Sequence, residues 1–435
     1  MIDVSALYCG YDSPSLPHRY GRCISRDVPE HQRFSTPKTA EQRRPIVVWN
    51  ITRTCNLCCV HCYSSSEAKK YPGELTKEEA FRVVDDLAAY GVPGVLFSGG
   101  EPLARPDIFE IAAYARSKKL HVVFSTNGTL ITPEIAKRFV DLGIAYVGIS
   151  LDSADPATHD KFRGVAGAFE RTMRGIRHCK AAGQKVGLRL TLTKVNADKI
   201  DALFDLIVRE DINRACFYHL VPAGRGSALV QLTPKEERRA VSTIFRRTRE
   251  LHEQGRPVEI LTVDNHCDGV YLYLKLKAER HPRAETIYEM LKWNGGGTYS
   301  SGVGIACIDF QGRVHPDQFW MHENLGNVRE RPFSEIWQDT SHPLMAGLKN
   351  RLPLLKGRCG VCRFVQLCGG ASRVRAQLLT GDPWAADPAC YLTDEEIGVN
   401  AGPAVKGALC CPADETTAES EAPPAAPYSC TDGEA

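Results

Sequence analysis

The sequence lacks what would place it in a membrane or on a nucleic acid. No apolar run is long enough to span a bilayer. The first 19 residues have no continuous apolar core of the kind that opens a secreted chain. An excess of charge of either sign is missing: 54 basic residues stand against 52 acidic ones, a formal net charge of +2. That balance gives no field to hold a polyanion or an anionic surface. No segment repeats at solenoid period. The expectation is a cytoplasmic chain with no nucleic-acid partner and no membrane partner.

What the sequence has in excess is cysteine, 17 in 435 residues. The number is odd and the chain long, so a disulfide framework does not fit. In a reducing compartment, clustered cysteines read as metal ligands or redox groups.

Residues 1–44 are rich in proline, arginine and polar residues, and are expected to form an irregular N-terminal arm. From Pro45 short β-branched runs recur at 46–51, 94–98, 121–126, 146–151, 186–193 and 215–220, with helical stretches between them. That alternation builds a parallel sheet. Thr76 with Glu79, and Thr233 with Glu236, form capping boxes that start helices; Gly91 and Gly183 stop them. Six strands are too few to close an eight-fold barrel. The expected fold is therefore α/β, a partial (β/α)6 barrel of parallel strands over 45–222, with its site at the C-terminal strand ends. A helical connection follows over 223–303, including a long helix over 234–254. A hairpin around Gln311-Gly312 opens a small cysteine-rich C-terminal extension, 304–398. Residues 399–435 lack periodicity and read as a disordered tail.

Cys55, Cys59 and Cys62 form a C-x3-C-x2-C motif directly after the first run. Three thiolates hold three irons of a [4Fe–4S] cluster and leave the fourth iron open to a bidentate ligand. Cys58 falls inside the gap and is assigned nothing. The plain alternative is a zinc knuckle completed by His61. Gly99, Gly100, Glu101 and Pro102 follow the second run; the glycines permit close backbone approach and Glu101 is a nearby acceptor. Ser125 and Asn127 end the third run, Ser150 and Asp152 the fourth. They offer hydroxyl, amide and carboxylate groups, though ordinary strand-end turns use the same residues. Arg163 lies just beyond and suits a carboxylate; the bland reading is a surface arginine. Cys359, Cys362, Cys368 and Cys390 make a second group, for which zinc is a serious rival. Cys9, Cys23, Cys179, Cys216 and Cys267 have no paired spacing and read mostly as buried small residues. Cys307 is left open, and Cys410, Cys411 and Cys430 are assigned nothing.

The first motif together with Gly-Gly-Glu-Pro resembles the radical S-adenosylmethionine (radical SAM) superfamily. The second group resembles its C-terminal SPASM or twitch extension, with Asp317 and Ser372 standing where that extension has cysteines. Leu7-Tyr8-Cys9-Gly10, Phe162-Arg163-Gly164, Gly224-Arg225-Gly226 and Val314-His315-Pro316-Asp317 are similar to the haem-biosynthetic members, over about residues 1–398. The resemblance implies two [4Fe–4S] clusters, one of them auxiliary, and S-adenosyl-L-methionine bound along Gly99–Pro102 with Ser125, Asn127, Ser150, Asp152 and Arg163. It implies a reducing donor such as a flavodoxin or ferredoxin. It also implies a tetrapyrrole substrate whose carboxylates meet Arg189 and Arg225, with His219 as an axial ligand to its iron and His266 and His315 as rivals. The implied reaction removes acetate side chains from 12,18-didecarboxysiroheme to give iron-coproporphyrin III. Maturation of haem d1 from the same precursor, or modification of a peptide, are the alternatives; the arm is too short for a peptide-binding segment.

Overall fold

The computed structural model describes residues 1–12 and 38–399. Its strands are β1 (Ile2–Asp3), β2 (Ile46–Thr52), β3 (Gly94–Gly99), β4 (His121–Thr126), β5 (Tyr146–Ser150), β6 (Val186–Leu192), β7 (Arg214–His219), β8 (Glu259–Val263), β9 (Ile305–Ile308), β10 (Arg313–His315) and β11 (Gly326–Asn327). They form one sheet in the order β1-β8-β7-β6-β5-β4-β3-β2-β9-β10-β11. The order has two free ends, so the sheet is open. All six expected runs are strands, β2 to β7, and every neighbouring pair among them is parallel. Both capping boxes are formed, and the long helix spans Pro234–Glu253.

The sheet does not stop at residue 222. β8 pairs parallel to β7, and the long helix is the crossover between them. Nor are residues 1–12 irregular: β1 pairs antiparallel with β8, and Asp3 caps a helix over Val4–Cys9 that Gly10 ends in the left-handed conformation. Ile2, Val4 and Leu7 are buried there, which stabilises an otherwise short element. The C-terminal hairpin is continuous with the barrel, because β9 pairs parallel to β2. The remainder of the expected arm, and the expected tail with Cys410, Cys411 and Cys430, lie outside the described residues. Among the described residues no helix is long and apolar enough to cross a membrane.

Strand alternation gives the sheet two different faces. Trp49, Phe97 and Phe124 point to the helices, and Phe124 meets Phe139 at 5.0 Å and Phe97 at 5.5 Å between ring centroids. The opposite face carries polar groups: Asn50, Ser98, Arg189 and Tyr218. Asn50 and Ser98 both bond the Tyr63 hydroxyl, and Arg189 lies over the Tyr218 ring. The apolar face supplies the packing energy; the polar face is available for a ligand.

Phe124 is fully buried at the centre of this aromatic group. Phe124→Ala is expected to destabilise the chain by about 3–5 kcal/mol, read as a lowered urea midpoint. A loss below about 1 kcal/mol would show that the helices do not depend on this cluster.

Candidate active site

The loops after the parallel strands open at one end of the sheet, where function is concentrated in such folds. The first of them carries Cys55, Cys59 and Cys62, and its backbone is held by its neighbours. Cys55 N donates to Glu67 O (2.9 Å), Cys58 N to Arg163 O (3.1 Å) and Val60 N to Phe162 O (3.0 Å). Cys55 and Cys59 are buried and Cys62 is half-buried. Donors converge on all three sulfurs. Cys55 accepts from Leu57 N (3.4 Å) and Asn127 Nδ2 (3.9 Å), Cys59 from Arg163 Nη1 (3.6 Å), and Cys62 from Ser66 N (3.4 Å). Burial pushes the Cys55 and Cys59 thiols up, a cost that bound iron removes by taking the thiolate charge. Three thiols in one short loop are the donor set that such a cluster takes. His61 stacks on Phe162, its ring centroid 4.4 Å away, in the position of a packing residue.

Gly99 and Gly100 are required by the cysteine loop itself. A Cβ on Gly99 would run into the Thr52 carbonyl oxygen, and one on Gly100 into that of Thr54. The same strand ends are joined by Gly100 N to Thr52 O (2.8 Å) and Glu101 N to Thr54 O (2.8 Å). Glu101 is fully buried and does not present a free acceptor. Its carboxylate takes the Thr126 hydroxyl (2.7 Å), Asn127 N (2.8 Å) and Leu103 N (3.1 Å). Burial raises it to about 7, against those three donors. It ties the end of β3 to the end of β4. Pro102 begins the short 3-10 turn that Glu101 caps.

Asn127 braces the site, reaching Asn56 Oδ1 (2.9 Å) as well as Cys55. Asp152 and Arg163 are buried and paired with each other, so neither is free for a ligand as the sequence reading has it. Their role is to hold a guanidinium against Cys59. Ser125 and Ser150 lie on the polar sheet face; Ser150 is in register with Arg189.

The second cysteine group also comes together. Cys359, Cys362, Cys368 and Cys390 line one apolar-walled cavity, and Cys267 joins them from the N-terminus of a helix over Cys267–Ala278. Asp317 and Ser372 do not face it as ligands. Asp317 is buried, bonded to the Ser301 hydroxyl and to Phe319 N (2.8 Å), and Ser372 caps the helix Arg373–Thr380. Arg351 and Arg373 are buried nearby and form no ion pair among the described residues; Arg351 donates to Ser301 O (2.8 Å) and Arg373 to the carbonyl oxygens of Pro383 and Ala385. Nε and Nη1 of Arg351 and Nε of Arg373 have no hydrogen-bond partner. Burial and the charge of Arg373 lower Arg351 to about 9.

The Radical SAM superfamily model matches residues 49–207. A relative named Fe-coproporphyrin III synthase, from Methanosarcina barkeri, is 54% identical over 92% of this chain and 99% of its own length. The chain belongs to the radical SAM superfamily. A relative named pre-heme d1 synthase, from Dinoroseobacter shibae, is 43% identical over 82% of this chain and 88% of its own. Among solved structures, SuiB of Streptococcus suis bound to S-adenosylmethionine has a TM-score of 0.63 at 17% identity, over 80% of this chain and 78% of that one. At that identity the likeness is one of fold. Membership of the superfamily implies a [4Fe–4S] cluster and S-adenosylmethionine.

The residues expected to meet a substrate divide sharply in this radical SAM chain. Arg189 stands on the polar face, 4.9 Å above the Tyr218 ring, with no carboxylate in ion-pair range among the described residues. Arg225 instead clamps the cysteine loop: its Nε donates to Cys59 O (2.8 Å) and its backbone N to Cys62 O (3.0 Å). Gly224 beside it packs so closely on Cys62 and Tyr63 that a Cβ would strike their carbonyl oxygens. His219 is not an axial ligand. It lies on the helix face of β7, its Nδ1 2.6 Å from Glu237 and its Nε2 2.9 Å from Asp268, so both nitrogens are used. The signal was in the alternation, since His219 shares its face with Phe217, which stacks on Phe204 of a covering helix. His315 Nδ1 meets Glu323 O at 2.6 Å, and its Nε2 lies 3.5 Å from Asp309 without a hydrogen bond. His266 sits after β8, 2.7 Å from the Met1 nitrogen.

Arg225→Ala is expected to lower both iron at the first site and formation of 5′-deoxyadenosine. A lost charged hydrogen bond is worth about 1.5–3 kcal/mol, enough to open the loop about tenfold more often or beyond. Full iron content in this variant would contradict the clamp.

For His219, burial opposes the charge, but Asp268 and Glu237 raise its value from 6.5 to about 10. The folded chain keeps that proton where the unfolded chain has lost it. The contribution to stability is therefore complete below about pH 6.5, declines as pH rises, and is gone above about pH 10. His219→Gln should flatten the fall of the urea midpoint across that window. An equal slope in both proteins would contradict the pairing.

Proposed function

We propose that this chain removes the two acetate side chains of 12,18-didecarboxysiroheme to give iron-coproporphyrin III. The observation that carries the reading is the 54% identity, over nearly the whole length, to a relative named for that product. The relative named pre-heme d1 synthase is next in identity at 43%, and haem d1 maturation is the second reading. A peptide substrate has less behind it: the peptide-bound SuiB structure is alike in fold at 19% identity.

Cys55, Cys59 and Cys62 would hold the catalytic cluster. When bound, the cluster and S-adenosylmethionine supply a 5′-deoxyadenosyl radical that takes a hydrogen atom near a substrate acetate. The chain's own residues position and shield. Gly99 and Gly100 keep the strand edge bare of side chains beside the cysteine loop, which leaves room for the amino group of S-adenosylmethionine. Arg163 keeps a guanidinium against Cys59, with Asp152 neutralising it. Ser125 and Ser150 offer hydroxyls on the same face. Arg189 offers an uncompensated fork to a carboxylate of the tetrapyrrole, the pairing that makes burial of that anion bearable. A low-potential donor of the flavodoxin or ferredoxin kind supplies the electron.

Residues 304–398 would carry an auxiliary [4Fe–4S] cluster on Cys359, Cys362, Cys368 and Cys390. Two features support it. The four thiols line one cavity, and buried Arg351 and Arg373 nearby form no ion pair among the described residues. Unpaired buried cations are costly, and a cluster of four thiolates is an anion.

Anaerobic protein with S-adenosylmethionine, dithionite and 12,18-didecarboxysiroheme should yield a product lighter by two acetates; loss of propionates would favour the haem d1 branch. Alanine at Cys55, Cys59 or Cys62 should abolish 5′-deoxyadenosine. Arg189→Ala should weaken tetrapyrrole binding by about 1.5–3 kcal/mol in an absorbance titration while S-adenosylmethionine cleavage persists. Unchanged binding would remove Arg189 from the substrate site.

A further inference from the structure

The auxiliary cavity holds one sulfur more than a four-iron cluster needs. Four of its cysteines come from the C-terminal segment. The fifth, Cys267, is the first residue of a twelve-residue helix between β8 and β9. Cys267 is fully buried and lines the same cavity as Cys390.

This pairing is fixed from both sides. Asn265 Nδ2 donates to Ala389 O at 2.9 Å, while Asn265 Oδ1 accepts from Cys267 N at 3.3 Å. The Tyr391 hydroxyl donates to Asp268 at 2.7 Å. Asp268 is itself held by His219 at the end of β7. The residues flanking Cys267 are thus tied to the residues flanking Cys390, and the two sulfurs cannot drift apart without breaking these bonds.

We propose that Cys267 is a fifth sulfur donor of the auxiliary site. It replaces Cys390 as the fourth iron ligand when that sulfur is withdrawn. In the exchange the iron–sulfur bond to Cys390 breaks and one to Cys267 forms. The proton that Cys267 gives up on binding iron is balanced by the one the released Cys390 sulfur takes up, and no electron is transferred. The inference rests on the auxiliary-cluster reading given above.

The test uses the full chain carrying Cys55→Ala, Cys59→Ala and Cys62→Ala, so that iron reports the auxiliary site alone. After anaerobic reconstitution this background should hold about four irons per chain. Adding Cys390→Ala should leave more than half of that iron, and adding both Cys390→Ala and Cys267→Ala should leave almost none. Equal loss in the single and double variants would overturn the proposal, with far-UV circular dichroism confirming that both are folded. A second readout does not depend on Cys390 variants folding. In the same background, Cys267→Ala should retain its iron but release it to a chelator severalfold faster, because no spare sulfur replaces Cys390. An unchanged release rate would overturn the replacement. A background protein that binds no iron would overturn the auxiliary cluster, and the fifth donor with it.

Discussion

The three-cysteine loop makes no ladder of its own, and the rest of the site depends on how its backbone is held. Its amides are taken by Glu67, Phe162 and Arg163, and its carbonyls by Arg225. Gly99, Gly100, Gly164 and Gly224 press so near it that none has room for a Cβ. This constraint explains residues that a ligand-centred reading misplaces. Glycines that look like bare ground for a cofactor are first of all the contact surface of the loop. Arg225, which looks like a carboxylate receptor, is a clamp. An irregular segment can hold three sulfurs in fixed positions only where its surroundings over-determine it.

Charge is arranged by the same logic. Arg163 reaches Cys59 while Asp152 offsets it, so the first sulfur site carries its own neutralised guanidinium. Arg351 and Arg373 at the second site have no such carboxylate. Arg189 on the polar sheet face has none within the described residues either. Three buried or half-buried cations therefore form no ion pair among the described residues, and each is near a place where the proposed chemistry brings an anion: thiolate sulfurs in two cases, a substrate carboxylate in the third.

The strands of the barrel were legible because β-branched runs at regular spacing leave little choice of fold. β8 was not, since five residues after a polar helix carry too weak a pattern, and its pairing with β7 is a tertiary fact. The N-terminal residues were misread for the same reason: β1 exists only because β8 is there to receive it. Among site residues, the cysteine motif was legible from spacing alone. Glu101, Arg163 and Arg225 were recognised as belonging to the site, but spacing could not show which way they point. His219 was recoverable from parity with Phe217. Cys267 was not recoverable at all, because its partners lie about a hundred residues away and no spacing links them.

The central claim is that the radical made at Cys55, Cys59 and Cys62 acts on an acetate arm of a tetrapyrrole. The most direct measurement uses 12,18-didecarboxysiroheme deuterated at the acetate methylenes, turned over anaerobically, with mass analysis of the 5′-deoxyadenosine. The account predicts that deuterium appears in the 5′-deoxyadenosine as acetate is lost. Acetate loss with only unlabelled 5′-deoxyadenosine would contradict it.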